Sequence, residues 1–129
     1  MKITGKFKVR LEPLPPPPLF SHEHLNIMSI DKNFEGDLEG HSQGQMLSAL
    51  TSTKGSAGYV AIERFTGTLN GKKGSFILQH HALMTRGQPQ QTITVIPDSA
   101  TEELEGLSGS MLIRIEANQH FYDFDYDLP

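Results

Sequence analysis

The feature that most constrains the fold of this chain is an alternation of apolar and polar residues with a period of two. In the first segment the apolar residues from Ile3 to Leu11 fall on one face of an extended chain, and the polar residues from Lys2 to Arg10 fall on the other. Such alternation indicates β-strands buried on one side, because successive side chains of a strand point to opposite faces of its sheet. Helical periodicity is nearly absent, so we predict an all-β protein.

The same pattern predicts about eight strands separated by turn residues. We expect them near residues 2–11, 25–34, 43–51, 59–69, 75–84, 92–96, 111–116 and 121–128. The Gly-rich passage Phe34–Gly40 is expected to connect the second strand to the third, and Ser99–Leu104 is expected to form a short helical turn.

The proline run 13–18 ends the first strand in this prediction. Its four consecutive prolines, Pro15–Pro18, lack backbone donors and favour the polyproline II conformation. We expect neither a strand nor a helix to cross it, and interpret it as a stiff connector over one end of the sheet. Docking of an SH3-type partner is the alternative.

A chain of 129 residues has the length of a single domain. An antiparallel sheet of about eight strands tends to close on itself, because closure removes exposed edges. A two-sheet sandwich gives a similar pattern of strands. We favour a single antiparallel β-barrel, whose interior holds either packed side chains or one small ligand.

Composition excludes several functional classes. The 15 acidic and 11 basic residues give a net charge of −4, which argues against binding to nucleic acid. No apolar stretch reaches the roughly 18 residues of a membrane span, so no membrane partner is predicted. The N-terminal segment lacks the apolar region of a signal peptide, and there is no cysteine, so we expect a cytoplasmic protein without disulfides.

The central hairpin, formed by the strands 59–69 and 75–84, brings two polar residues together. With 70–73 as a four-residue loop, Glu63 lies directly opposite His80 on an otherwise apolar face. A two-residue loop slides the pairing but keeps both residues on that face. A buried carboxylate must be paired or protonated. The pair is therefore a structural polar bridge, a ligand-orienting pair or a general acid/base couple.

Other candidate sites have simpler interpretations. His22 and His24 have a spacing seen in metal sites, but further ligands are lacking, so we predict exposed side chains and no metal. Ser99 and Thr101 are expected to satisfy backbone donors in a turn, since no nucleophile motif surrounds them. The aspartates at alternate positions 123–127 are expected to line a solvated strand edge protected by charge.

Four motifs in sequence order resemble a known family. They are Phe34–Gly40, Gly58–Leu69, Gly71–His80 and Pro97–Gly109. Together they resemble the bacterial family of uncharacterised proteins called DUF3224, over most of the chain from residue 2 to 128. The resemblance implies a fold similar to the allene oxide cyclase barrel, a calycin-like antiparallel β-barrel, with no established activity.

Family members commonly carry a glutamate, a Gln-His pair and a Ser-x-Thr motif, which match Glu63, Gln79-His80 and Ser99-Ala100-Thr101 here. The proline run, the His-Glu-His motif at 22–24 and the segment 100–103 depart from the family pattern. Similarity to the cyclase barrel implies an apolar lumen for a small or fatty ligand, but it does not imply cyclase activity, because function lies in sites and not in folds.

Three hypotheses about function follow. The first is a small barrel that binds an apolar or amphipathic ligand in its lumen. The second is an isomerase or cyclase type of enzyme that uses Glu63 and His80 without a cofactor. The third is a structural or interaction protein with a filled barrel; assembly into a homo-oligomer is compatible with each. The predicted ligand-binding residues are Tyr59, Glu63, Phe65, Phe76, Leu78, His80 and Tyr126.

Overall fold

The computed structural model describes the backbone of residues 1–129 and every side chain except that of Phe20. Eight strands and two 3-10 helices, Pro18–Phe20 and Glu102–Leu104, make up its regular structure. The strands are β1 (Lys2–Leu14), β2 (Leu25–Glu35), β3 (Leu38–Leu50), β4 (Ala57–Leu69), β5 (Lys72–Thr85), β6 (Gln88–Val95), β7 (Ser108–Glu116) and β8 (Gln119–Asp127). Within this described part of the chain, no helix is long and apolar enough to cross a membrane.

All eight strands form one closed antiparallel barrel in sequence order, and β1 pairs with β8 to complete it. The barrel prediction is thereby confirmed over the two-sheet sandwich. The turns at 36–37 and 70–71, the loop 96–107 and both chain termini lie at one end, which we call the closed end. The connections 15–24, 51–56, 86–87 and 117–118 lie at the other, which we call the open end.

The strands at the proline run and the Gly-rich passage are longer than predicted. β1 continues to Leu14, and Pro13 pairs with Met28 of β2. Because β1 pairs with β8 only as far as Phe7, the missing donor of Pro13 falls on a strand margin, where proline is tolerated. The expected passage 34–40 is instead the end of β2, a tight turn containing Gly36 with φ +111°, and the start of β3.

The predicted four-residue loop of the central hairpin is wrong. Leu69 pairs with Lys72, so the loop is the two-residue turn Asn70-Gly71. Both residues have positive φ, +49° and +80°, as a type I′ turn requires, and this turn matches the twist of the flanking strands. His80 consequently pairs with Ala61, and Glu63 pairs with Leu78.

The core fills the closed half of the barrel. Phenylalanine rings pack there in contact with one another, as between Phe65 and Phe76, whose centroids are 4.9 Å apart. The loop 96–107 seals this end by inserting Leu104 and Leu107, which are both buried in the same cluster. The predicted helical turn is confirmed in the shorter form Glu102–Leu104.

Candidate functional site

The inward-facing side chains of β4 change in character along the barrel axis. From the open end they run Tyr59, Ala61, Glu63 and Phe65, and β5 contributes His80, Leu78 and Phe76 beside them. The barrel interior thus has an open half at the level of Tyr59, a polar layer at Glu63, and an aromatic closed half below it.

The polar layer is centred on the Glu63 carboxylate, which is fully buried. Lys32 Nζ donates to Glu63 Oε2 at 2.7 Å, and Ser42 Oγ donates to Oε1 at 2.6 Å. His80 Nε2 lies 2.5 Å from Oε2, so this nitrogen carries the proton when the carboxylate is ionised. We call Glu63, Lys32, Ser42 and His80 the ionic layer.

Strand register explains how these side chains meet. Lys32 pairs with Ser42 across β2 and β3, and Gly44 of β3 pairs with Glu63 of β4. A Cβ atom on Gly44 would lie 1.9 Å from the carbonyl oxygen of Ile62, so glycine is required for the close approach of these two strands. Each member of the ionic layer therefore projects inward from a neighbouring strand.

Aromatic rings also surround the charge of Lys32. Its Nζ lies 5.0 Å from the ring centroid of Phe7 and 6.0 Å from that of Phe34. Both distances are compatible with cation–π attraction. This buried lysine is held by a carboxylate on one side and by ring faces on the other.

The electrostatics favour a permanent ion pair. Burial raises the pKa of Glu63, but the hydrogen bond from His80 and the charge of Lys32 outweigh it and lower the pKa to about 2. The carboxylate is therefore ionised at neutral pH. A general base works best with a pKa near the operating pH, so this group is poorly matched to proton abstraction.

The prediction that Glu63 and His80 face the interior within reach of each other is confirmed, although the register behind it was wrong. Lys32 and Ser42 were missed. A signal for Lys32 was present, because it alternates with Ile30 and Phe34 on the buried face of β2. A buried glutamate also requires a cation, and Lys32 meets that requirement.

The open half of the barrel contains a cavity of about 680 Å³ that opens to solvent. Its sixteen lining residues are mainly apolar, and none carries a charge. Three of them are methionines, Met28, Met46 and Met84, whose flexible side chains suit an adaptable wall. The polar lining side chains are Tyr59, Asn26, Ser48, Gln90 and Gln91.

The structure separates the predicted ligand-binding residues into two groups. Tyr59 lines the cavity. The others are buried in the closed half or in the ionic layer and are absent from the cavity wall: Glu63, Phe65, Phe76, Leu78, His80 and Tyr126. The methionines of the wall were missed, since alternation alone does not show which inward positions remain unfilled.

One side of the cavity has an incomplete sheet. β6 and β7 pair only through Ile93–Met111 and Thr94–Ser110. Nearer the open end, the Gln91 side chain spans the gap. Its Oε1 accepts a hydrogen bond from Ile113 N at 3.0 Å, and its Nε2 donates to Ile113 O at 3.5 Å. A side-chain amide here takes the place of a strand-to-strand contact.

The remaining sequence candidates have structural roles or lie on the surface. His22 is exposed, with its ring centroid 5.4 Å from that of His24. Among the described residues no group of three or more metal-ligating side chains occurs. Ser99 Oγ accepts from Ile77 N at 3.1 Å and Thr101 Oγ1 accepts from Ser75 N at 3.2 Å, which confirms the predicted turn hydroxyls.

The expected charged edge at residues 123–127 does not exist as an edge. β8 pairs with β1 on one side and with β7 on the other, because the barrel is closed. Its aspartates lie on the outer surface, where Asp123 accepts hydrogen bonds from Arg114 at 2.6 and 3.1 Å. These aspartates therefore form part of a solvated outer face.

The fold and the cavity define a small antiparallel β-barrel with one packed end and one open, apolar end. Residues 3–126 match the family model DUF3224, described as a protein of unknown function, and the chain belongs to this family. A crystal structure of a DUF3224 protein of unknown function from Shewanella oneidensis MR-1 is 49% identical, with a TM-score of 0.94. The similarity covers 100% of this chain and 97% of that one. Among curated proteins, none matches.

Proposed function

We propose that this protein binds a small apolar or amphipathic molecule in the open end of its barrel. The observation that carries the proposal is the cavity of about 680 Å³ with its mainly apolar wall. This volume lies within the roughly 300–1,000 Å³ typical of small-molecule sites.

Exposure of large apolar side chains at the cavity mouth supports the same function. Leu50, Met84 and Ile115 line the cavity and remain 55%, 42% and 66% exposed. Covering apolar surface stabilises a complex by about 25 cal/mol per Å². A ligand that enters the mouth gains this free energy without any rearrangement of the packed closed half.

The isomerase hypothesis has weaker support from the geometry. Glu63 and His80 are 0% and 3% exposed, and neither belongs to the cavity wall. A general acid or base must come within hydrogen-bond reach of the reacting group. Because the Glu63 carboxylate already accepts bonds from three side chains, we propose that the ionic layer is structural.

Binding can be tested with the uncharged dye N-phenyl-1-naphthylamine, which becomes fluorescent in apolar sites. The wild-type protein should give a saturable increase in fluorescence. Ala82, which pairs with Tyr59 and lines the cavity, is replaced by tryptophan to fill the space. We expect Ala82→Trp to weaken dye binding by about tenfold or more, equivalent to about 1.4 kcal/mol.

The matched control is His81→Trp, one residue along β5, where the side chain is exposed on the outer face. It should bind the dye as the wild type does. Urea unfolding of both variants is the check that they remain folded. Absence of saturable binding to the wild type, or equal binding by the Ala82 variant, would contradict a ligand site in this cavity.

A further inference from the structure

We infer that the ligand of the open cavity is an uncharged amphiphile, an apolar chain that carries a neutral oxygen function such as an alcohol, ester or ketone. This inference rests on the proposed function and adds the chemical class of the ligand. The selectivity would come from two features of the wall, its lack of charge and the free hydroxyl group of Tyr59.

The cavity offers a carboxylate no compensation for lost hydration. Its sixteen lining residues include no lysine, arginine, histidine, aspartate or glutamate. The nearest buried cation, Lys32, lies outside the wall and is engaged by Glu63 at 2.7 Å. Burial of an unpaired charge is costly, whereas burial of a neutral oxygen costs little once it accepts one hydrogen bond.

Tyr59 supplies such a hydrogen bond. Its side chain lines the cavity, with the ring centroid 6.4 Å from that of His80. Its hydroxyl makes no hydrogen bond to the described residues. Burial, together with the negative charge of Glu63, raises the pKa of Tyr59 above 10, so the hydroxyl stays protonated at neutral pH. It is a neutral donor, suited to an acceptor oxygen.

The same negative charge acts against an anionic ligand. A carboxylate that approached the Tyr59 hydroxyl would also approach Glu63, which lies four residues further along β4 on the same face. Asn26 and Ser48 extend the neutral polar set near the mouth. The methionines of the wall accommodate chains of different shapes, so we expect selectivity for the head group more than for the chain.

The test compares 1-decanol with decanoate, which share a ten-carbon chain and differ in the charge of the head group. Each is used to displace N-phenyl-1-naphthylamine from the wild-type protein at pH 8, with decanoate kept below its critical micelle concentration and 1-decanol below its solubility limit. We expect 1-decanol to displace the dye at a concentration about tenfold or more below that of decanoate. The dye is neutral, so its own binding does not depend on the net charge of the protein surface.

Tyr59→Phe tests the hydrogen bond, because it removes the hydroxyl and keeps the ring. The variant should lose about fivefold more affinity for 1-decanol than for the dye, as expected for one hydrogen bond of about 1 kcal/mol to the alcohol oxygen. An equal loss for both ligands would overturn the assigned role of the hydroxyl and indicate packing alone.

The outcomes separate this inference from the function on which it rests. Decanoate binding as tightly as 1-decanol overturns the selectivity for neutral ligands, while dye displacement by either still supports a ligand site. If neither the dye nor the alcohol binds the wild-type protein, the proposed function itself fails, and the inference fails with it.

Discussion

Replacement of Glu63 by glutamine should lower the free energy of unfolding by about 3 kcal/mol at pH 7, and this loss should vanish as the pH approaches 2. The pKa of Glu63 is about 2 in the folded protein, against an ordinary value of 4.5. That difference, multiplied by about 1.4 kcal/mol per pH unit, gives about 3 kcal/mol. Because folding lowers this pKa, the stabilisation is fully present above pH 4.5 and is lost as the pH falls through about 2.

Glutamine is the appropriate replacement because it preserves the size of the side chain and removes only the charge. It can still accept a hydrogen bond from Ser42, but it leaves the Lys32 ammonium buried without its anion. Removal of one partner from a buried ion pair costs about 3–5 kcal/mol, which agrees with the value obtained from the pKa.

Urea unfolding at a series of pH values between 7 and 3 measures the effect. With a typical slope of about 1–3 kcal/mol per molar urea, the midpoint at pH 7 should fall by about 1–3 M. Glu39→Gln, on the exposed outer face of β3, is the matched control and should change stability by less than about 0.5 kcal/mol. A Glu63→Gln variant within 1 kcal/mol of the wild type at pH 7, or a difference that stays constant with pH, would refute the structural role.

Two further substitutions test the closed half and the strand spacing. Tyr122→Phe removes the buried hydroxyl that accepts a hydrogen bond from Leu38 N at 3.1 Å, and should cost about 1–3 kcal/mol in urea unfolding. A cost below 0.5 kcal/mol would show that water replaces this contact. Gly44→Ala should cost about 3 kcal/mol or more, because its Cβ would lie 1.9 Å from the Ile62 carbonyl oxygen. In the control Gly58→Ala the nearest atom is 3.1 Å away, at the end of a leucine side chain, and equal costs for both glycines would contradict the argument.

Alternation of residues was sufficient to predict the barrel strands but not their register. A shift of two residues between neighbouring strands leaves every inward side chain facing inward, so the hydrophobic pattern is the same in both registers. For β4 and β5 the register is set by the turn. Asn70-Gly71 adopts positive φ at both residues, which closes the hairpin in two residues and pairs Glu63 with Leu78.

The placement of the predicted residues was right where it depended on the face of a strand and wrong where it depended on depth in the barrel. The alternation of each strand predicted that Glu63 and His80 face the barrel interior close to each other, as observed. The position of an inward residue along the barrel axis decides whether it is covered, because the loop 96–107 seals only one end of the barrel. Phe65 is therefore buried, whereas Tyr59, on the same strand and the same face, lines a cavity.

The division of the barrel into two halves separates the residues that stabilise the fold from those of the proposed ligand site. The Glu63 carboxylate accepts hydrogen bonds from three side chains of the protein, is fully buried and is absent from the cavity wall, so a ligand in the cavity does not contact it. Tyr59 lies four residues nearer the mouth on the same strand, and its hydroxyl has no partner among the described residues and is free to bind one. Substitutions at Glu63 should therefore change unfolding and spare binding of the neutral dye, while Ala82→Trp should weaken dye binding and spare unfolding. If Glu63→Gln remained folded but lost dye binding, the ionic layer would belong to the binding site.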